Sequence, residues 1–183
     1  MPLILLLVVV SLICLTLQIP HLSALVEWRI DYIEQGEWWR ILSGNFTHTN
    51  FTHLAMNISA LWVIAFIFRP SAVSYSILLI MISLAVGLGI LLTPIQGYVG
   101  LSGTLHGLFA FYALTEALQG RKSSWLLVVG VVMKVFWELS IGSPASTAEM
   151  INARVAVEAH LIGLVSGCLL AIVQHLHVLK VKP

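Results

Sequence analysis

Apolar residues run along this chain in long blocks, interrupted by Pro, Gly and clusters of polar side chains. The blocks lie at roughly 3–19, 51–68, 73–92, 102–118, 124–141 and 155–176, each near the about 20 apolar residues that carry a helix through a bilayer. The expected fold is therefore all-α: one integral membrane domain, residues 1–183, built from six transmembrane helices. The one sizeable connection runs from about Pro20 to Thr49. It is rich in charge and holds Trp28, Trp38 and Trp39, side chains suited to the headgroup layer.

Composition points to lipid as the solvent. Of 183 residues 59% are apolar and 9% charged, where a soluble domain carries roughly 25% charged residues. The first block, Leu3 to Leu17, has no Lys or Arg before it and no small-x-small cleavage site ahead of Pro20-His21. A retained first helix is expected rather than a signal peptide. Arg69, Arg121, Lys122, Lys180 and Lys182 fall at one set of helix ends, whereas Glu27, Asp31, Glu34, Glu37, Glu149 and Glu158 gather at the other with Arg29, Arg40 and Arg154. Positive ends belong to the cytoplasm, so both termini are expected there and the acidic face outside. The net charge of +1 and the lack of a basic groove or aromatic RNA-binding motif leave nucleic acid out as a partner. Cys14 and Cys168 lie inside apolar blocks without metal-ligand spacing, and neither a metal nor a cofactor is expected.

Polar residues inside membrane spans are costly and default to function. His53 and Asn57 are four apart, on one face of the second helix and about 6 Å from each other along its axis. Ser102 opens the fourth helix between Gly100 and Gly103, where backbone N–H groups lack intrahelical partners and little bulk stands nearby; an oxyanion could be held there. On the sixth helix His160, Gly163 and Gly167 share a face, and such small-residue faces permit close helix packing. The fourth helix offers Gly103, Gly107 and Ala110 in return. Close approach would bring the His160 ring to the Ser102 hydroxyl, and a serine needs such an adjacent base to become a nucleophile.

The segment Gly100-Leu101-Ser102-Gly103 resembles the GxSG motif of rhomboid intramembrane serine proteases. His53, Asn57 and Ala159-His160-x-x-Gly163-x-x-x-Gly167 match further signatures of that family, as do Trp39-Arg40 and His48. The resemblance implies a six-helix bundle in which Ser102 attacks a scissile carbonyl and His160 takes its proton, while the Ser102 N–H, His53 and Asn57 stabilise the oxyanion. It implies membrane-anchored protein substrates in a lipid bilayer, and no third carboxylate. Many rhomboids carry Tyr four residues after the serine, beneath the catalytic histidine; this chain has His106, and GLSGTLHG resembles the rhombosortase branch. That branch implies a bacterial inner membrane, an active site opening to the periplasmic side, substrates with a Gly-Gly-containing C-terminal anchor, and hydrolysis or transfer to an acceptor.

Blander readings stand beside these. His106 lies one turn along the axis from Ser102, so support of the His160 ring is expected rather than direct base catalysis. Arg40 and His48 can serve to order the outer connection, and His175 and His177 sit beside the basic C-terminus. An ion pair accounts for Lys134 and Glu138, four apart in an apolar block. Trp125 and Trp137 suit interfacial anchoring. Two other function classes remain: a non-enzymatic rhomboid-like binder of membrane segments, and a metal or ion carrier at a convergence of His53, His106 and His160. The latter lacks an HExxH motif and any intramembrane carboxylate at ligand spacing to these histidines.

Overall fold

In the computed structural model, which describes residues 2–181, each apolar block forms a helix, and the connections are more structured than their sequence foretold. Lys182, used above for orientation, lies outside the described residues. The first block stops early. Helix α1 (Leu3–Thr16) gives way to α2 (Pro20–Val26) at a bend of 104°. Pro20 explains the break, since its ring cannot continue a helix interior yet suits a first turn.

The Pro20–Thr49 connection then folds into short pieces at one end of the bundle. They are β1 (Trp28–Arg29), α3 (Ile30–Glu34), α4 (Arg40–Ser43) and a 3₁₀ turn at Gly44–Phe46. Helices α5 (Phe51–Phe68) and α6 (Ala72–Ile90) follow, each begun by a side-chain cap: Asn50 accepts from the His53 N–H at 2.8 Å, and Ser71 accepts from the Ser74 N–H at 3.1 Å. Strand β2 (Gly97–Tyr98) pairs antiparallel with β1, Trp28 opposite Tyr98 and Arg29 opposite Gly97. This two-rung ladder ties the first connection to the entry of α7 (Ser102–Leu118). Helices α8 (Ser124–Ile141), α9 (Ala145–Ile151) and α10 (Val157–Val181) complete the chain.

Length and composition make α5, α6, α8 and α10 able to cross a membrane, and the bent α1–α2 pair passes as one broken span. That is four to five candidate spans among the described residues, against the six expected. The difference lies in α7, whose 17 residues are largely buried against α5, α6, α8 and α10. A helix walled in by others meets little lipid, so it can carry glycines, Thr104 and His106 without an apolar surface of its own.

The tightest seam runs between α7 and α10. A β-carbon on Gly163 would run into the Gly103 carbonyl, and one on Gly167 into that of Gly107; one on Gly103 would stand 2.8 Å from the Ala159 carbonyl oxygen. Only glycine lets these backbones approach so closely. Beside the seam, Thr104 donates to Asn45 Oδ1 at 3.2 Å and its hydroxyl lies 3.0 Å from that of Ser83, while Asn45 Nδ2 donates to the Ser83 carbonyl at 3.1 Å. This buried knot pins the outer connection to α6 and α7. Trp28, fully buried, adds a bond from Nε1 to the Gly87 carbonyl at 2.9 Å.

Gly163→Ala should therefore cost about 1–3 kcal/mol, the usual penalty for overpacking, read as a lowered thermal midpoint in detergent. Gly130→Ala, on α8 with nothing within 4 Å of its β-carbon position, should be neutral or mildly stabilising. A Gly163→Ala protein as stable as the parent would contradict this seam.

Candidate active site

A cavity of about 620 Å³ opens among α5, α7, α8, α9 and α10, beneath the β1–β2 ladder, with His53, Asn57, Ser102 and His160 in its lining. The end of the bundle that holds it carries the short connecting elements; Arg69, Arg121, Lys122 and Lys180 lie at the opposite helix ends.

Ser102 is the first residue of α7, and no side chain caps that helix start. The Leu105 N–H reaches the Leu101 carbonyl at 2.9 Å, so the amides of Ser102, Gly103 and Thr104 have no partner within the helix. Gly100 turns the chain into this start with φ of 115°, a left-handed conformation that side chains resist. A β-carbon there would also meet His53 Cε1 at 2.6 Å. Tyr98 fixes the turn by donating its hydroxyl to the Gly100 carbonyl at 2.6 Å.

His160, buried on the first turn of α10, points Nε2 at Ser102 Oγ across 2.9 Å. The two residues are 58 apart in sequence, and they meet because Gly103 and Gly163 bring their helices together just below. His106 Nδ1 lies 2.7 Å from the Ser102 carbonyl oxygen, not from Oγ, and the ring stacks on His160 at 4.1 Å between centroids and 21° between planes. It is a platform beneath the His160 ring, one turn down its own helix.

His53 and Asn57 face the same cavity from α5. Thr49 donates its N–H to His53 Nδ1 at 3.5 Å, and its hydroxyl oxygen lies 3.1 Å from the same nitrogen; with Nδ1 accepting from the N–H, the ring proton stands on Nε2, on the side of Gly100. The Thr49 hydroxyl also reaches the Ile151 carbonyl at 2.6 Å, which fastens α9 over the site. Among the described residues, Asn57 Nδ2 is buried without a partner. Such an orphaned donor is costly to bury unless a ligand supplies an acceptor.

Other residues singled out from sequence fall outside this group. Arg40 is buried, donating to the carbonyls of Ala24 and Glu27 at 3.0 and 2.8 Å and to Glu37 at 2.6 Å, with its guanidinium 4.5 Å over the Tyr32 ring. It orders the outer connection. His48 sits edge-on behind His53 at 5.0 Å. Burial, and then the neighbouring His53, push its imidazole down to about 3, so it stays neutral. Trp125 and Trp137 are half exposed, on the outside of the bundle. At the cavity rim stand Glu27, Arg29 and Arg154; a hydrogen bond to Asp31, reinforced by its charge, raises the Arg29 guanidinium above its ordinary value.

One residue was misjudged from sequence. Lys134 does bond Glu138, at 2.8 Å, but the other carboxylate oxygen of Glu138 lies 2.8 Å from His160 Nδ1. The fold thus supplies a carboxylate beside the histidines where spacing along the chain offered none. The signal was an acid inside an apolar block, a costly placement that one lysine a turn away seemed to explain. His106, Glu138 and His160 bring three ligand atoms within 4.8 Å of one another, and His53 is not in that group. They suit a metal poorly. Stacked rings direct their in-plane lone pairs side by side rather than toward one tetrahedral centre, and His106 Nδ1, both His160 nitrogens and both Glu138 oxygens already face protein partners.

A family model for the Rhomboid domain matches residues 35–177. Over 147 residues the chain is 26% identical to "Putative rhomboid protease YdcA" of Bacillus subtilis (strain 168), covering 76% of this chain and 68% of that one. Over 137 residues it is 29% identical to "Rhomboid protease GluP" of the same organism, covering 74% of this chain but only 26% of that longer protein.

Proposed function

This chain belongs to the rhomboid family, and on that premise we propose that it is an intramembrane serine endopeptidase in which Ser102 is the nucleophile and His160 its general base. The observation that carries the reading is the 2.9 Å approach of His160 Nε2 to Ser102 Oγ at the floor of the cavity, within the reach that proton transfer requires.

His160 Nε2 takes the hydroxyl proton as Ser102 Oγ attacks the carbonyl carbon of a substrate peptide bond. The negative charge that develops on the carbonyl oxygen is met by the Ser102 N–H, His53 Nε2–H and Asn57 Nδ2–H, donors fixed before substrate arrives. Collapse of the tetrahedral intermediate breaks the C–N bond, and His160 returns the proton to the leaving amine. The product is an acyl-enzyme on Ser102, which water or an acceptor amine resolves. Throughout, His106 supports the His160 ring by stacking. Gly100 and Gly103 keep the nucleophile's surroundings open, and Gly163 and Gly167 hold α10 against α7.

The chain is a multi-pass membrane protein by family and by its apolar helices. The reading extends this to one domain of six spans, with α7 and the bent α1–α2 pair crossing as well, in the bacterial inner membrane. Both termini are cytoplasmic, following the basic helix ends, and the cavity opens to the periplasmic side. The GLSGTLHG segment, with His106 under His160, favours rhombosortase-like specificity: substrates anchored by a C-terminal Gly-Gly-containing segment, with hydrolysis or transpeptidation as the outcome.

Ser102→Ala and His160→Ala should abolish cleavage of an anchored reporter in membranes. His53→Ala and Asn57→Ala should each lower the rate by about 100- to 1,000-fold, the usual cost of one oxyanion donor; full activity in Ser102→Ala would refute the assignment. Chelators should leave cleavage unchanged, whereas loss on chelation with return on adding zinc would favour metal chemistry. The mass of the released product separates the two outcomes: a free C-terminal carboxylate means hydrolysis, an added mass means transfer.

A further inference from the structure

Among the described residues, Glu138 is the charged side chain that touches the reacting pair and that the scheme above leaves idle. It comes from α8, a helix with Leu126, Val129, Met133, Phe136 and Trp137 all turned outward. Glu138 is turned inward and only 7% exposed, while the Lys134 side chain that bonds it remains half exposed. If an ion pair were all that the two residues made, both could lie at the surface, where the charges stay solvated. Burial of the carboxylate alone places it where its second oxygen meets His160 Nδ1, 22 residues further along the chain.

We propose that Glu138 is a positioning residue, the third member of a Ser102–His160–Glu138 triad, held in orientation by Lys134. The inference rests on the roles assigned above to Ser102 and His160. Nε2 can accept the Ser102 proton only if the ring's own proton lies on Nδ1. An ionised carboxylate accepts hydrogen bonds and donates none, so its contact with Nδ1 selects that tautomer. His106 cannot do this, because it lies against the face of the His160 ring and its Nδ1 is directed to the Ser102 carbonyl. When Ser102 gives up its proton, the imidazolium has the Glu138 charge 2.8 Å away, a fixed counter-charge in place of solvent. The proton stays on His160 until the leaving amine takes it; Glu138 is never protonated in the cycle. Lys134 on the other oxygen keeps the carboxylate from rotating away.

The test compares the parent protein with Glu138→Gln, Glu138→Asp and Ser102→Ala, purified in detergent. It reads kcat and KM on an anchored reporter, the thermal midpoint, and the proton spectrum of protein carrying ring-15N histidine. Glu138→Gln should lower kcat by about 100- to 10,000-fold, the upper figure being the loss known for the acid-to-amide change in a serine protease triad, with KM and thermal midpoint little changed. Glu138→Asp should recover part of the loss. A strongly deshielded His160 Nδ1 proton should appear in the parent and vanish in Glu138→Gln. Unchanged kcat in Glu138→Gln, with Ser102→Ala inactive, would overturn the role of Glu138 and leave the nucleophile standing. Activity in Ser102→Ala would bring down the reading beneath it, and the triad with it. Should Glu138→Gln fail to fold, the parent spectrum decides: a carboxylate-bonded proton on Nδ1 supports the triad, a ring protonated on Nε2 overturns it.

Discussion

Backbone-to-backbone contact between α7 and α10 is the constraint from which the site follows. Lipid offers no hydrophobic drive between helices, so close packing has to come from surface shape. Here the shape is a pair of glycines on each helix, Gly103 and Gly107 facing Gly163 and Gly167, each lying against a carbonyl of the other helix. Ser102 stands one residue before the first of these contacts and His160 one turn before its own. Their 2.9 Å separation is thus a consequence of the seam rather than of any local loop. A side chain at the seam would separate His160 from Ser102 before it touched either.

The end of the bundle around the site is built to a different rule. There the chain must turn repeatedly, and it satisfies its backbone through side chains: Arg40 on the Ala24 and Glu27 carbonyls, Asn45 on that of Ser83, Thr49 on that of Ile151, Tyr98 on that of Gly100. All but the short Tyr98–Gly100 bond join segments separated along the chain, and together they enclose a cavity whose lining includes Trp28 and Tyr98. Among the described residues, Asn57 Nδ2 at the cavity wall has no partner, as is true of the His48 ring nitrogens behind His53. Of these, the Asn57 amide is the one that lines the cavity.

The sequence made the long helices legible because each is a block of apolar residues closed by Pro, Gly or charge. It made Ser102 and His160 legible because a polar residue among glycines, inside such a block, has few structural uses. The short helices α2, α3, α4 and α9 were not legible: pieces of four to seven residues show no periodicity and are held by tertiary bonds. The bounds of α7 match the apolar block at 102–118, although a helix enclosed by protein does not need the composition of one facing lipid. Glu138 is the harder case. Its local partner, Lys134, was visible at i,i+4, whereas its partner on α10 exists only once the α7–α10 seam has brought His160 within reach of α8.

The most direct measurement is covalent labelling of the purified protein with a fluorophosphonate, followed by peptide mass spectrometry. An activated serine reacts at the hydroxyl whose proton a neighbouring base can take. The account predicts one adduct, on Ser102, formed rapidly in the parent and essentially lost in His160→Ala. An adduct on a different residue, or labelling of Ser102 at an undiminished rate without His160, would contradict it.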